Sequence, residues 1–223
     1  MQALSLASIV DKPTEVPPGL LIGLVADFGS IEAWQEAFAL EARRKSGSDG
    51  WMVLGFSLRE GRLLNRWQAA DAAELSIEQT TPLLAYQREG PHGSHDQRLD
   101  HFIEHVDWGN VARLYQQTVY SASDPFAISP ASLGDALLHD VRRRGAFDAS
   151  NEIIRGATWR DPTTVDAWAD ELTRTRTVVY CVAGHEVSRK TAVRLRALNI
   201  DAYFLQGGIE GWKANQLPVT TKS

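Results

Sequence analysis

The chain has 223 residues, 43% hydrophobic and 23% charged, with a net charge of −5; this is a globular composition for one large or two small domains, with no basic footprint for a nucleic-acid partner. A single cysteine, Cys181, excludes an intrachain disulfide framework and a cysteine-rich zinc site. The best apolar run, Leu20 to Ala26, falls short of the ~20 residues of a membrane helix, and Met1 to Val10 carries no Lys or Arg and makes a poor signal peptide, so no membrane partner is expected and the cytoplasm is the expected compartment.

In the first half, a proline-rich lead runs from Lys12-Pro13 to Pro17-Pro18. Ser30 then offers an N-cap oxygen to a helix whose face is Ile31, Trp34, Phe38 and Ala42, ended by Gly47-Ser48-Asp49-Gly50. Trp51–Phe56, Arg62–Gln68 and Leu83–Gln87 read as strands, the first two joined as a hairpin by Arg59-Glu60-Gly61. Helices are expected around Gln97–His105 and Asp107–Val119. The segment 121–130 holds two prolines and three serines without a helical period and reads as a linker between domains 1–120 and 131–223.

The second half alternates. A short helix near Pro130–Asp135 precedes the apolar run Ala136-Leu137-Leu138, which ends at Asp140-Val141-Arg142. A helix and a loop through Ile153–Ala157 follow, then a helix that Pro162 starts and that extends to Leu172. Next come the strand Thr177–Tyr180, an Arg-rich helix, the strand Ala202–Leu205, and Gly207-Gly208-Ile209-Glu210-Gly211-Trp212. The fold class expected is therefore α+β followed by α/β: helices with a three-stranded antiparallel sheet, then a parallel sheet flanked by helices. In such sheets the site lies at the carboxyl ends of the strands, where Cys181 falls.

Cys181 closes a strand and opens the turn Val182-Ala183-Gly184-His185-Glu186-Val187-Ser188, which leads into a helix. A thiol so placed lies under backbone N–H groups and the positive end of a helix dipole, which stabilise a thiolate. A buried apolar cysteine at a strand end is the competing reading.

Four stretches in order, Asp140-Val141-Arg142, Ile154-Arg155-Gly156-Ala157, the loop from Cys181 and Gly207–Trp212, resemble a rhodanese (sulfurtransferase) domain over residues 128–219. The resemblance implies that Cys181 takes sulfane sulfur from a small donor, holds it as a persulfide and passes it to a thiol, cyanide or protein acceptor, with no other cofactor. It also implies that Asp140 and Arg142 frame the pocket; a structural ion pair supporting the loop is the alternative. Many such loops carry Arg or Lys at the place of Glu186, which opposes an anion. Arg189 and Lys190, a turn later, are the residues expected to compensate, and sulfur transfer is a firmer expectation than thiosulfate as donor. A related phosphatase loop needs an Arg where Val187 stands.

Asp27-Phe28-Gly29-Ser30, the run Gly47–Trp51, Thr81-Pro82-Leu83-Leu84, Phe102–Trp108 and Asn110-Val111-Ala112 resemble the C-terminal domain of the iron/manganese superoxide dismutases over residues 16–119. The family's Asp and His ligands after the Pro-Leu-Leu strand fall at Gln87 and Pro91, with His92 one residue away. Dismutase activity is not expected, and this half is expected to act as scaffold, docking module or homodimer surface. His92 and His95 are three apart and His101 and His105 four apart on a helix, the second pair spaced for weak Zn or Ni chelation, but with Asp96, Asp100 and Glu104 nearby they read as a solvated polar face, and no metal is assigned. A non-catalytic persulfide carrier or sensor is the alternative function.

Overall fold

The computed structural model describes residues 9–45, 49–70, 80–88, 95–172 and 175–222. The chain divides into two compact units, Met1–Thr118 and Val119–Ser223. No described helix is long and apolar enough to cross a membrane.

The first unit opens with α1 (Pro18–Phe28), which the sequence reading missed, and α2 (Ile31–Arg44). Pro18 occupies the first turn of α1, where its missing N–H costs nothing. Ser30 caps α2 as expected, accepting the Ala33 N–H at 3.0 Å. Three antiparallel strands follow, β1 (Gly50–Ser57), β2 (Arg62–Ala69) and β3 (Thr80–Arg88), in the order β2-β1-β3. The expected hairpin pairs Ser57 with Arg62. Helices α3 (His95–Glu104) and α4 (Trp108–Ser123) complete the set. Trp34 is fully buried, 5.1 Å edge-on from Trp108 and 5.3 Å from Phe38. Its indole N–H is satisfied by Asn65 Oδ1 at 3.1 Å, as a buried indole requires.

The second unit is built on β4 (Ala127–Ile128), β5 (Leu137–Asp140), β7 (Thr158–Trp159), β8 (Thr177–Tyr180) and β9 (Ala202–Leu205), with β6 (Glu152–Ile154) outside that sheet. The five strands pair in parallel in the order β4-β9-β8-β5-β7. Four helices flank them: α5 (Arg144–Asp148), α6 (Val165–Ala169), α7 (Glu186–Ala197) and α8 (Gly208–Ala214). One apolar cluster joins Val179 and Phe204 to Trp168 and Leu195; a second joins Val178 and Leu205 to Ile209 and Trp212. The alternation along β8 and β9 thus buries both faces of the sheet, as parallel strands require.

Three expectations are corrected. The stretch 121–130 is not an irregular linker: α4 runs through Ser123, a 3₁₀ turn follows at Asp124–Phe126, and β4 pairs with β9. The loop expected through Ile153 contains β6, which pairs antiparallel with β10 (Val219–Thr221). The helix expected from Pro162 to Leu172 shortens to α6: at its start the Asp161 carboxylate takes both the N–H and the hydroxyl of Thr163 and holds Pro162 in a turn, and beyond Ala169 the Glu171 and Leu172 amides turn back to the Trp168 and Ala169 carbonyls.

Candidate functional site around Cys181

Cys181 follows the last residue of β8 and is 5% exposed. From there the chain makes a five-residue loop, Cys181 to His185, and enters α7 with His185 as its N-cap. Gly184 sits at φ +74°, a conformation that favours glycine. A side chain there would meet Gly207 N and Leu205 O at 3.0 Å. Across from it, a side chain on Gly208 would collide with the carbonyl oxygens of Cys181 and Val182. This close approach lets the Ile209 and Glu210 amides donate to those two carbonyls, each at 3.0 Å. The Gly-Gly pair is therefore a clamp on the loop, a role that sequence reading did not assign although both glycines were in view.

The clamp occupies loop carbonyls and leaves loop amides free. Among the described residues the N–H groups of Val182, Ala183, Gly184, His185 and Val187 have no acceptor in the protein. Ser188, fully buried, donates its hydroxyl to Cys181 Sγ at 3.2 Å. A sulfur with a hydroxyl donor and a run of unengaged amides in the adjoining loop is an environment for negative charge. Val182, Ala183, Glu186 and Val187 are half-buried, and His185 is exposed, its ring 6.5 Å from that of Tyr120.

Asp140 and Arg142 form a buried ion pair, 0% and 3% exposed, with guanidinium–carboxylate distances of 2.6 to 3.0 Å. The Arg142 amide also donates to Asp140, and Arg142 Nη2 reaches the Glu152 carbonyl. Neither residue hydrogen-bonds to the sulfur. Through the Glu152 carbonyl the pair also ties the end of β5 to β6. It holds the end of β5 against β8, where the Val141 N–H donates to the Tyr180 carbonyl at 2.8 Å. The Tyr180 hydroxyl accepts the Ile154 N–H at 3.2 Å, and burial, with the Asp140 charge beside it, pushes the phenol far above its ordinary range.

Arg189 meets the loop through its guanidinium. Its Nε donates to the Gly184 carbonyl at 3.0 Å and its Nη1 to Ser123 Oγ and Asp124 Oδ1. Lys190 is buried.

Of the histidines considered for a metal, His101 and His105 lie 4.0 Å apart between ring centroids with their planes tilted by 34°, and His105 Nδ1 lies 2.9 Å from the His101 carbonyl oxygen. His92 and Pro91 lie outside the described residues, and Gln87 stands on β3. No group of three or more His, Cys, Asp or Glu suited to a metal occurs among the described residues.

Residues 129–215 match the family model of the rhodanese-like domain, and residues 19–88 match that of the iron/manganese superoxide dismutases, C-terminal domain. An iron superoxide dismutase of Cupriavidus metallidurans is 32% identical over 99 residues, 42% of this chain and 49% of that protein; the chain thus spans about half the length of the curated relative it matches. Among solved structures, a full-length protein from Lactobacillus plantarum is 28% identical, covering 51% of this chain and 99% of that one, with a TM-score of 0.41. A thiosulfate sulfurtransferase from Pseudomonas aeruginosa is 22% identical over 43% of this chain and 19% of that one, with a TM-score of 0.38.

Proposed function

Starting from a chain that carries a rhodanese-like domain at residues 129–215 behind a superoxide dismutase C-terminal-like stretch at 19–88, we propose that it is a sulfurtransferase moving sulfane sulfur through a persulfide on Cys181. The observation that carries this reading is the chain's single thiol, hydrogen-bonded by the Ser188 hydroxyl at the head of a loop in which, among the described residues, the Val182, Ala183, Gly184 and His185 amides have no acceptor.

The reaction needs no net redox change. The Cys181 thiolate attacks the sulfane sulfur of the donor; a Cys181 S–S bond forms, the donor's bond to that sulfur breaks, and the donor leaves with the electron pair. An acceptor thiolate or cyanide then attacks the outer sulfur and Cys181 leaves as thiolate. Both half-reactions place negative charge on sulfur, the charge that the loop amides and Ser188 can stabilise. Arg142 is engaged by Asp140, Arg189 by Gly184 and Asp124, and the loop itself contributes Glu186. This supports a small-molecule or protein persulfide over the thiosulfate dianion as donor, with a protein thiol among the acceptors.

The N-terminal unit serves in this reading as scaffold, docking module or homodimer surface, since Gln87 replaces a ligand of the matched family. The acidic Glu186 also favours a second reading, a carrier loaded once by a protein partner. Multiple turnovers with a persulfide donor and cyanide, lost in Cys181→Ser, are expected for the enzyme. A single stoichiometric loading without turnover belongs to the carrier, and turnover that survives Cys181→Ser overturns both.

A further inference from the structure

The Arg189 guanidinium is engaged through Nε, through Nη1 and by two aromatic rings. Its Nε donates to the Gly184 carbonyl at 3.0 Å, and its Nη1 donates to Ser123 Oγ at 3.1 Å and Asp124 Oδ1 at 2.8 Å. Its Cζ lies over two rings, 4.1 Å from the centroid of Tyr120 and 4.3 Å from that of Phe204. The pair with Asp124, whose side chain is 68% exposed, contributes little alone. The bond to the loop carbonyl and the two ring contacts are the parts shielded from water, with Arg189 itself 17% exposed. Only the planar fork of arginine reaches one carbonyl through Nε while Nη1 holds a second element.

The grip falls on the residue that sets the loop's shape. Gly184 is confined from one side by the Gly207-Gly208 turn and tied from another by Arg189. Tyr120, Ser123 and Asp124 all precede residue 129, where the rhodanese match begins. We propose that Arg189 is a positioning residue for sulfur transfer, and that the end of α4 with the turn after it, Tyr120 to Asp124, is a working part of the site because it fixes the amide loop through Arg189. The mechanical half of this inference stands on the contacts alone; its catalytic half rests on the persulfide reading. An amide cradle acts only while preorganised, and a displacement of about 1 Å is enough to lower a rate by roughly a hundredfold.

The test uses the full chain. In Arg189→Ala, hydrogen exchange at the Ile209 and Glu210 amides, which donate to the Cys181 and Val182 carbonyls, speeds up while exchange along β8 does not. With the donor that loads the parent, kcat falls about tenfold and KM stays nearly constant, the pattern of an interaction felt in the transition state. Arg189→Lys keeps the charge without the fork and recovers little of either loss. Should Arg189→Ala fail to fold, the double variant Ser123→Ala, Asp124→Ala cuts the far end of the bridge and is expected to give the same pattern at smaller amplitude. Unchanged exchange and kcat in a folded variant, or full rescue by lysine, overturns the proposal. If the parent shows no turnover, the persulfide reading fails, while the exchange measurement still decides the bridge.

Discussion

The N-terminal unit buries Trp34, Phe38, Phe56, Leu54 and Leu83 around its antiparallel sheet, and the C-terminal unit buries Tyr180, Phe204, Val178 and Leu205 in its parallel one. In the first, Gln87 stands on a well-packed strand, at the place where the resemblance to the dismutase family leads one to expect a metal ligand. In the second, Ser188, Gly184, Gly207 and Gly208 hold the loop after Cys181 by specific contacts. The contrast separates two things that a family match joins. A fold rests on apolar packing, which tolerates the exchange of a few polar side chains; a chemistry rests on those few side chains and is lost with them.

The comparison breaks most visibly when each half loses its central support. Asp140→Ala leaves Arg142 buried and unpaired, at an expected cost of about 3–5 kcal/mol; chemical denaturation is expected to show that loss together with failure to load sulfur. Trp34→Ala removes a fully buried indole, its bond to Asn65 and its contacts with Phe38 and Trp108. A similar cost of about 3–5 kcal/mol is expected, with sulfur loading retained while the protein stays folded. Loss of loading from the folded Trp34 variant would mean that the two halves do not act separately.

Ser188→Ala sharpens the comparison without disturbing a core. It deletes the donor to Cys181 Sγ, and a hydrogen bond to a charged group contributes roughly 1.5–3 kcal/mol. A fall in loading rate of about ten- to a hundredfold with the melting temperature nearly constant is expected; an unchanged rate would move the stabilisation of sulfur to the loop amides alone. The smallest effect is expected at His139. This side chain of β5 is 6% exposed and lies 6.0 Å from the Trp168 ring. Burial, then the Arg160 charge, lowers its pKa below the ordinary 6.5, and the Thr158 backbone offsets this only in part. The unfolded chain then binds the proton more readily than the folded one, so stability is full above the unfolded-state pKa and falls as pH drops through it. Urea midpoints between roughly pH 7 and 5 are expected to decline in the parent and less steeply in His139→Leu; parallel slopes would assign the decline to other groups.

Much of this architecture is legible in the residues. Ser30 with the spacing Trp34, Phe38, Ala42 marks α2, and the turn at Gly61 marks the hairpin. α1 is hidden because Leu20 to Ala26 is apolar nearly all round and has no period to read, and because Pro18 looks like a breaker when it is a first-turn residue. β4, β6, β7 and β10 have two or three residues each, too few for an alternation, and exist because a distant strand supplies their partners. At the site, the strand-loop-helix sequence around Cys181 placed the thiol. The tie from Arg189 to Ser123 spans 66 positions and leaves no local trace, so Arg189 reads from sequence as a spare cation near the loop.

The central claim is that Cys181 carries sulfur, and intact-protein mass spectrometry after incubation with persulfide donors, with thiosulfate in parallel, tests it most directly. The account predicts a gain of one sulfur atom, removed by cyanide or a thiol and absent in Cys181→Ser, with persulfides loading better than thiosulfate. An unchanged mass with every donor, or the same gain in Cys181→Ser, would contradict it.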